Sequence, residues 1–446
     1  MDPTNSGPDS RSRGSLVYGL EERPPAGVAL MVAVQHVAAM VVGTITPPLI
    51  LAGILKLPAA DTAYLVSVAL LASAFGTWLQ CRQRGPLGSG LLSVTGTSFA
   101  FIGPLSLAGK AGGLPLMLGV SCVTAPLLIV LAPFLPRLRL AFTPLVSGVV
   151  VILIGASLIP TAFFSVAAPV APGAPPWAGL LVALVVVAVI TGAQATGRTW
   201  ARISGAAAGI VAGCAVCALF GGLRAPEPGD GAWFTAVRWL PHGFAFDWAL
   251  VPPFAFIYLV SMLEAMGDLA ATAQLSGLPG DGPAHWRRLS GGVMADGLLS
   301  SLACMFGAFP SATYAQNNGV IQITGVASRR VAYFMAAILA LLGLLPAVGR
   351  LITVRPAPVL GGLALLMFGL VAVAGLRLVA ASGLGQREGV IVALSLGVGL
   401  GLPTQPALVA SLPGFLHPLL ESGISAGGLT VLILNLAWRP RTAPTG

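Results

Sequence analysis

Long apolar runs, separated by short polar segments, dominate the chain. Stretches long enough to cross about 30 Å of hydrocarbon begin near residues 27, 60, 114, 141, 176, 202, 249, 289, 330, 353, 388 and 424. Two further segments, near residues 90–109 and 312–326, are interrupted by Gly, Ser, Thr and amide side chains. If both are broken spans, the pattern predicts an all-α polytopic membrane protein with fourteen transmembrane segments.

The composition excludes a soluble enzyme. The 446 residues are 56% hydrophobic and 8% charged, whereas a soluble domain is about a quarter charged. The five cysteines lie in or beside apolar segments, and an odd number predicts no disulfide framework. Cys214 and Cys217 form a C-x-x-C inside an apolar helix, where we interpret them as small packing residues.

The positions of the basic residues predict the orientation. With the polar N-terminal tail in the cytoplasm, 17 of the 23 Lys and Arg residues fall in cytoplasmic segments and 6 in outer loops. The positive-inside rule is therefore obeyed. It predicts an integral protein of the plasma (bacterial inner) membrane with both termini in the cytoplasm. Contact with anionic lipid also accounts for the pI near 10.0 without a nucleic-acid partner.

An internal repeat indicates a transporter. Residues 142–148 resemble residues 357–362 at an offset of 214, and a glycine follows each motif at the same spacing. The two broken segments are separated by about the same distance. Seven spans per half would insert the second half with opposite polarity. Inverted repeats with paired broken helices are typical of secondary transporters, which bind substrate near the midplane at the breaks.

Four ionisable residues lie within predicted spans. Glu264 and Asp268 are four residues apart and share one helix face, Asp296 lies in the next span, and His36 is the only histidine deep in a span. A carboxylate at this depth marks a functional site by default. The alternative, strongest for Asp296, is a structural carboxylate held by backbone N–H groups. No second His or Cys clusters with His36, so no metal site is predicted.

The broken segments carry the remaining candidates. Ser93–Pro104 contains Phe99, which could stack on a flat ligand or serve as a packing residue. The second break contains Gln316, Asn317 and Asn318 in succession. Amides in a bilayer are costly unless they are paired. Three in a row, beside Gly319, favour a site that binds the polar edge of a ligand.

These motifs resemble the nucleobase–ascorbate transporter family, and within it the bacterial xanthine and urate permeases. The family signature is Gln-Asn-x-Gly, four residues, then Thr, and the chain has it from Gln316 to Thr324. The resemblance extends over residues 27 to 380. It also includes the Gln35-His36 pair, Gly96 to Phe99, Glu264 to Asp268, and Asp296.

The resemblance implies a seven-plus-seven inverted-repeat fold with two broken segments, each a short strand and a half-helix. Spans 1–4 (27–135) and 8–11 (249–350) would form a substrate-carrying core. Spans 5–7 (136–248) and 12–14 (351–438) would form a gate and the scaffold of a homodimer. Residues 1–26 and 439–446 would be cytoplasmic tails.

The resemblance also implies roles for individual residues. Glu264 and Gln316 would hold a nucleobase through its ring N–H and C=O groups, with Phe99 against the ring and Ala315 and Asn317 shaping the site. Proton coupling or support of the site would fall to Asp268, Asp296, His36 and Thr324. No cofactor is implied, and the coupling ion would be H⁺.

The resulting hypothesis is import of a purine nucleobase, xanthine or uric acid, by proton symport with elevator-type alternating access. Gln316 favours an oxopurine, because uracil permeases of the family tend to have Glu there. A pyrimidine (uracil) permease is one alternative. An anion transporter of the same fold is another, although neither break contains Lys or Arg and Glu264 would repel an anion. A channel or an enzyme is disfavoured, since no pore ring or nucleophile–base pair is found.

Overall fold

The computed structural model describes residues 16–138, 143–223, 234–280, 282–314, 316–345, 357–413, 417–420 and 422–438. Helices account for most of these residues, and two three-residue strands form a small sheet. The α-helices are α1 (Ala26–Ile54), α2 (Ala59–Gln80), α3 (Ile102–Thr124), α4 (Pro126–Leu131), α5 (Leu135–Leu138), α6 (Pro144–Val166), α7 (Ala178–Ala195), α8 (Thr199–Leu219), α9 (Val251–Leu275), α10 (Gly282–Met305), α11 (Gln316–Thr324), α12 (Arg329–Leu344), α13 (Ala357–Ala381), α14 (Gln386–Gly401), α15 (Pro406–Ala410), α16 (His417–Leu420) and α17 (Gly423–Ala437).

The helices confirm the predicted fold class. Most begin within three residues of the predicted starts. The largest departure is α10, expected near residue 289 but beginning at Gly282. Its first turns hold His285, Trp286 and two arginines, which suit a membrane interface rather than hydrocarbon. Hydropathy therefore missed the first seven residues of the helix. Within the described residues, seven helical segments are long and apolar enough to cross a membrane unaided.

The boundary between the first broken segment and the next span is a pair of glycines. Helical hydrogen bonding continues through α3, but Gly112 (φ −151°, ψ 18°) and Gly113 (φ 68°, ψ −162°) leave helical geometry. A positive φ with extended ψ is almost restricted to glycine. The chain thus ends a half-helix at residue 111 and begins a new span from Leu114, where the sequence predicted one.

The two broken segments meet at the centre of the molecule. Strand β1 (Thr95–Thr97) pairs with β2 (Ser311–Thr313) in antiparallel register, with Gly96 opposite Ala312. A side chain at Gly96 would collide with Thr44 and Tyr314, at 2.5 and 2.6 Å from a Cβ. The two strands belong to the two broken segments, one from each repeat. They supply each other with backbone hydrogen-bond partners, which the bilayer cannot provide.

A second pair of equivalent elements, α6 and α13, shows the inverted polarity directly. A Cβ at Gly148 would lie 2.8 Å from the Gly375 carbonyl oxygen, and one at Gly361 would lie 3.0 Å from that of Ala162. The early part of each helix thus faces the late part of the other, so the two run antiparallel. The glycines allow the backbones to touch, as in other membrane helix interfaces.

Helices α1, α2 and α12 pack together, as do α6, α7, α8 and α13, and α14 packs on α17. The division of the chain into a core and a gate stays a prediction.

Candidate functional site

The strand pair brings the starts of two half-helices to the same small sheet. After β1, Ser98 caps a short 3₁₀ turn, Phe99–Phe101, by accepting a hydrogen bond from the Ala100 N–H (3.3 Å), and α3 follows. After β2, α11 begins at Gln316. The first N–H groups of a helix lack partners within that helix. Both breaks can therefore offer donors and positive dipole ends to a ligand.

Glu264 and Gln316 are both exposed although they belong to the membrane-embedded part of the chain. The neighbours of Glu264 in α9, Leu263 and Ala265, are 5% and 2% exposed. A Cβ built at Gly267, three residues beyond Glu264, would meet no atom within 4 Å, and the same holds for Gly319 in α11. Open space therefore borders both the carboxylate helix and the amide half-helix.

A hydrogen-bond cluster fastens α11 to α9 beside that space. The Thr272 hydroxyl lies 2.6 Å from the Asn318 side-chain oxygen and 2.8 Å from the Asp268 carbonyl oxygen. The Asn318 amide donates to the same carbonyl at 3.4 Å. Asn318 is two residues beyond Gln316, and Asp268 is one turn beyond Glu264. The amide half-helix and the carboxylate helix are thus held side by side.

The three intramembrane carboxyl groups form one electrostatic cluster. The Asp268 carboxyl interacts electrostatically with those of Glu264 and Asp296. Glu264 also acts on the phenol of Tyr314, two residues before Gln316. This proximity supports the predicted joint site, because Glu264 and Gln316 belong to two elements of the second repeat that touch.

Asp296 clamps β2 in place. Its carboxylate accepts a hydrogen bond from the Gln80 amide (2.8 Å) and two from Thr313, through the backbone N–H (3.3 Å) and the hydroxyl (3.0 Å). It is 2% exposed. Each oxygen has at least one donor, so the group is a structural support for the strand from which α11 follows. The sequence had left this alternative open.

Two residues that follow β2, Tyr314 and Asn317, bind the second broken segment to the first by hydrogen bonds. The Tyr314 hydroxyl donates to the Thr97 carbonyl at 2.8 Å, which joins the end of β2 to the end of β1. The Asn317 side-chain amide donates to the Leu92 carbonyl, and its side chain is 3% exposed. Asn317 is therefore buried against the first broken segment, whereas Gln316 is exposed.

Phe99 lies at the side of the site toward α13. It is partly exposed, and its ring meets that of Phe368 edge to face, with centroids 5.9 Å apart. Phe368 is fully buried. Phe99 is thus a packing residue on one side and is accessible on another, so contact with a flat ligand stays a prediction.

The other predicted residues differ in position. His36 is 1% exposed, and neither ring nitrogen has a hydrogen-bond partner in the part of the chain that the structure describes. Thr324 lies at the far end of α11, about 12 Å along the axis from Gln316, and donates to the Val320 carbonyl. Ala315 lies outside the described residues. The roles of these three stay predictions.

Sequence reasoning missed four residues that organise the site: Gln80, Thr272, Thr313 and Tyr314. Gln80 carried a detectable signal, since a glutamine at the end of a long apolar helix needs a partner. Thr272 is one turn beyond Asp268, on the same face. The contacts of Thr313 and Tyr314 depend on the pairing of β1 with β2, which the sequence did not specify.

Comparison with known proteins gives a consistent family. The Xan_ur_permease model, described as "Permease family", matches residues 27–408. Xanthine permease XanP of Escherichia coli is 40% identical over 99% of this chain and 98% of its own. Xanthine permease XanQ of the same organism is 41% identical over 94% and 93%. The putative purine permease CPE0397 of Clostridium perfringens is 33% identical over 94% and 92%.

Among solved structures, the fold is shared with more distant transporters. The transmembrane domain of a cyanobacterial bicarbonate transporter, BicA, matches with a TM-score of 0.60 at 14% identity, over 92% of this chain and 97% of that one. The murine anion transporter Slc26a9 matches with a TM-score of 0.59 at 12% identity, over 94% and 69%. Full-length sequence matches to permeases, together with this fold, show that the chain is an integral membrane transporter of the nucleobase–ascorbate transporter family.

Proposed function

We propose that this protein is a secondary active transporter that imports a purine nucleobase, xanthine or uric acid, by proton symport. The observation that carries the proposal is the exposure of Glu264 and Gln316 on two helices that touch, each with an open position beside it. The names of the curated relatives, two of them xanthine permeases, agree with a purine substrate.

The two side chains suit the edge of an oxopurine. Xanthine presents N–H donors beside carbonyl acceptors. A carboxylate such as Glu264 accepts from N–H, whereas the primary amide of Gln316 can both donate and accept. A ligand that leaves one of these groups unpaired in a dry site loses roughly 1–3 kcal/mol for each. The pair would therefore select the pattern of donors and acceptors.

Proton coupling follows from the carboxyl cluster in this proposal. A carboxylate favours the neutral form of a carboxyl group beside it, because two like charges repel each other. Glu264 and Asp268 are mutual neighbours on one face of α9. Asp296 is committed to three hydrogen bonds. We therefore assign the transported proton to the Glu264–Asp268 pair.

The proposal includes movement of the core against the gate, a homodimer built on the gate, and insertion in the bacterial inner membrane with both termini in the cytoplasm. The Phe99–Phe368 contact supports a boundary at this place, because it joins the first break to α13. The excess of arginine in the predicted cytoplasmic segments supports the orientation.

A uracil permease and an anion transporter are the alternatives. The anion alternative has some support from the fold shared with BicA and Slc26a9. Against it, Glu264 is an exposed carboxylate on the helix that packs against α11, and residues 90–109 and 312–326 contain no Lys or Arg. Half-helix dipoles alone would then have to overcome the repulsion from Glu264.

A competition experiment tests the substrate. Cells that lack their own purine and pyrimidine permeases would express the chain and take up labelled xanthine in the presence of unlabelled xanthine, urate, hypoxanthine, guanine, uracil or bicarbonate. We expect inhibition by oxopurines and not by uracil or bicarbonate. Inhibition by uracil alone, or by bicarbonate, would reject the purine assignment.

The same assay tests the role of the amide and of the proton. Gln316→Glu should weaken inhibition by xanthine and change the order of the competitors; an unchanged order would mean that the amide does not contact the base. A protonophore should abolish accumulation while a sodium ionophore does not. Uptake that survives the protonophore and follows the sodium gradient would reject proton coupling.

A further inference from the structure

At the C-terminal end of α2, the exposed face of the helix carries two aromatic rings and is followed by an arginine. The rings of Phe75 and Trp78 stack with centroids 5.8 Å apart and an interplanar angle of 26°. The Arg82 guanidinium carbon lies 4.2 Å from the centroid of the Trp78 ring and 5.7 Å from that of Tyr333 on α12. Phe75 and Tyr333 are 40% and 41% exposed. On a membrane helix, such exposed aromatic surface faces lipid.

Positive charge is in excess at this end of α2. Among the described residues, no carboxylate forms an ion pair with Arg82. The nearby Arg329 pairs with Glu21 at 2.5 Å, and both Arg82 and Arg329 act electrostatically on the Cys81 thiol. The charge of Arg82 is therefore uncompensated by the chain around it.

Arg288 adds to this excess from α10. Its guanidinium donates to the Ser89 carbonyl at 3.2 Å and interacts electrostatically with Arg329. The two guanidinium groups also approach the same backbone, since a Cβ at Gly90 would lie 3.0 Å from the Arg288 Nη1 and 3.4 Å from the Arg329 Nη2. Arg288 and Arg329 thus lie close together near Glu21, which already pairs with Arg329. Arg82 adds a third positive charge at this end of α2.

An apolar groove runs from the same aromatic pair toward the middle of the membrane. It has a volume of about 220 Å³ and lies between α2 and α10. Phe75 lines the groove and stacks on Trp78, and Trp78 contacts Arg82 just beyond the end of α2. The groove and the arginine are therefore joined by a continuous series of contacts. The lining of the groove includes Val68, Leu71, Ala72 and Phe75 of α2, Leu302 of α10, Phe306 just beyond α10, and Val237.

The spacing fits a phospholipid. One leaflet of hydrocarbon is about 15 Å deep, half of the usual core, and this depth equals about ten residues of α-helix. Ten residues before Arg82 is Ala72, which lines the groove. A headgroup at Arg82 would therefore place the end of an acyl chain in the groove.

We propose that an anionic phospholipid of the cytoplasmic leaflet binds along the outer face of α2, with its phosphate against Arg82 and one acyl chain in the groove. Contact with the Trp78 ring positions the guanidinium, and the N–H groups of an arginine that lies on an aromatic ring can still donate to phosphate oxygens. The opposite face of α2 supports the transport site, because Gln80 donates to Asp296 and the Ser73 hydroxyl donates to the Thr95 carbonyl. The lipid thus covers the back of a helix on which β1 and β2 depend.

The experiment measures lipid binding to the purified full-length protein by native mass spectrometry and by the shift in melting temperature. The probes are phosphatidylglycerol, phosphatidylcholine with the same chains, glycerol phosphate and inorganic phosphate. We expect a selective shift with phosphatidylglycerol. Arg82→Gln should weaken its binding about tenfold, equivalent to about 1.4 kcal/mol. The matched control Arg84→Gln removes the same charge from an exposed position two residues away and should change binding by less than about threefold.

Each other outcome contradicts the proposal. Equal shifts with phosphatidylcholine would mean that the headgroup is not recognised. An equal shift with inorganic phosphate would mean an anion site without a lipid. Equal losses in the two Gln variants would mean attraction to the general surface charge. If Arg82→Gln does not fold, Arg82→Lys keeps the charge while losing the planar stack, and unaltered selectivity there would equally reject the aromatic cradle.

Discussion

At the scale of single residues, the site depends on side chains whose surroundings differ sharply. Glu264 projects into open space from a helix whose neighbouring residues are buried, whereas Asp296 is enclosed and fully hydrogen-bonded. Two carboxyl groups of the same membrane region therefore have different tasks. The first is available to a ligand and the second holds a strand.

Replacement of Glu264 tests the first task. Glu264→Gln keeps the size of the side chain but offers an NH₂ group where the base presents N–H, so we expect loss of xanthine uptake by at least about a hundredfold, from roughly 3 kcal/mol of lost pairing. Asp61→Asn, in the first turn of α2, is the control and should transport normally. Near-normal uptake by Glu264→Gln, at equal amounts in the membrane, would exclude Glu264 as the substrate acceptor.

A double-mutant cycle tests the second task. Asp296→Asn replaces one of the two accepting oxygens with an NH₂ group, and Thr313→Val removes one donor while keeping the backbone N–H. We expect Asp296→Asn to lower the free energy of unfolding by about 1–3 kcal/mol. The two changes should be non-additive by about 1 kcal/mol because the residues are in contact. Thermal unfolding of the purified variants measures this, and strict additivity would show that the hydrogen bond between the two side chains contributes nothing.

At the scale of elements, two pairs of equivalent elements define the architecture: the strands β1 and β2, and the helices α6 and α13. The strands β1 and β2 satisfy each other's backbone at membrane depth. The helices α6 and α13 instead meet through glycines, with backbone atoms where side chains would otherwise stand. Both arrangements join equivalent pieces of the two repeats.

Two glycines of α13 make a matched test of that packing. A Cβ at Gly375 would lie 2.5 Å from the Ile152 nitrogen and 2.6 Å from the Gly148 oxygen, whereas one at Gly369 would meet nothing within 4 Å. Gly375→Ala should therefore lower stability by about 1–3 kcal/mol. Gly369→Ala should be neutral or up to about 1 kcal/mol stabilising, from helix propensity. Melting temperatures in one detergent decide between them; equal effects would mean that α6 and α13 can separate freely.

At the scale of the whole molecule, orientation is the property that most needs a measurement. The positive-inside count predicts that α2 runs from the outer side at residue 59 to the cytoplasm at residue 80. The same count sets the side on which the proposed lipid would bind. It also sets the direction in which the broken helices face.

Cysteine substitution at the two ends of α2 checks the orientation. In intact cells, a membrane-impermeant maleimide should label Ala60→Cys and not Gln83→Cys, and permeabilisation should expose the second. Both positions are exposed. The unsubstituted chain, whose five free cysteines are buried or partly buried, gives the background. Labelling of Gln83→Cys alone in intact cells would invert the topology.

The number and order of the spans, the start of a new span at residue 114 and the inverted repeat could all be predicted from the sequence, whereas the residues that would bind a ligand stay a prediction. Each of these is local, because apolar length, charge position and backbone freedom are properties of short segments. The amide run from Gln316 to Asn318 was identifiable for the same reason: amides inside a bilayer need partners wherever they occur.

Only the tertiary structure decided which partner each polar group finds. Asn318 and Thr272 are 46 residues apart and Gln80 and Asp296 are 216 apart, so no local pattern could join them. The same holds for the register of β1 on β2 and for the burial of His36 without a hydrogen-bond partner among the described residues. Pairing is a consequence of how whole repeats fold against each other. For this reason the sequence could name the chemical groups of the site but not the contacts that hold them.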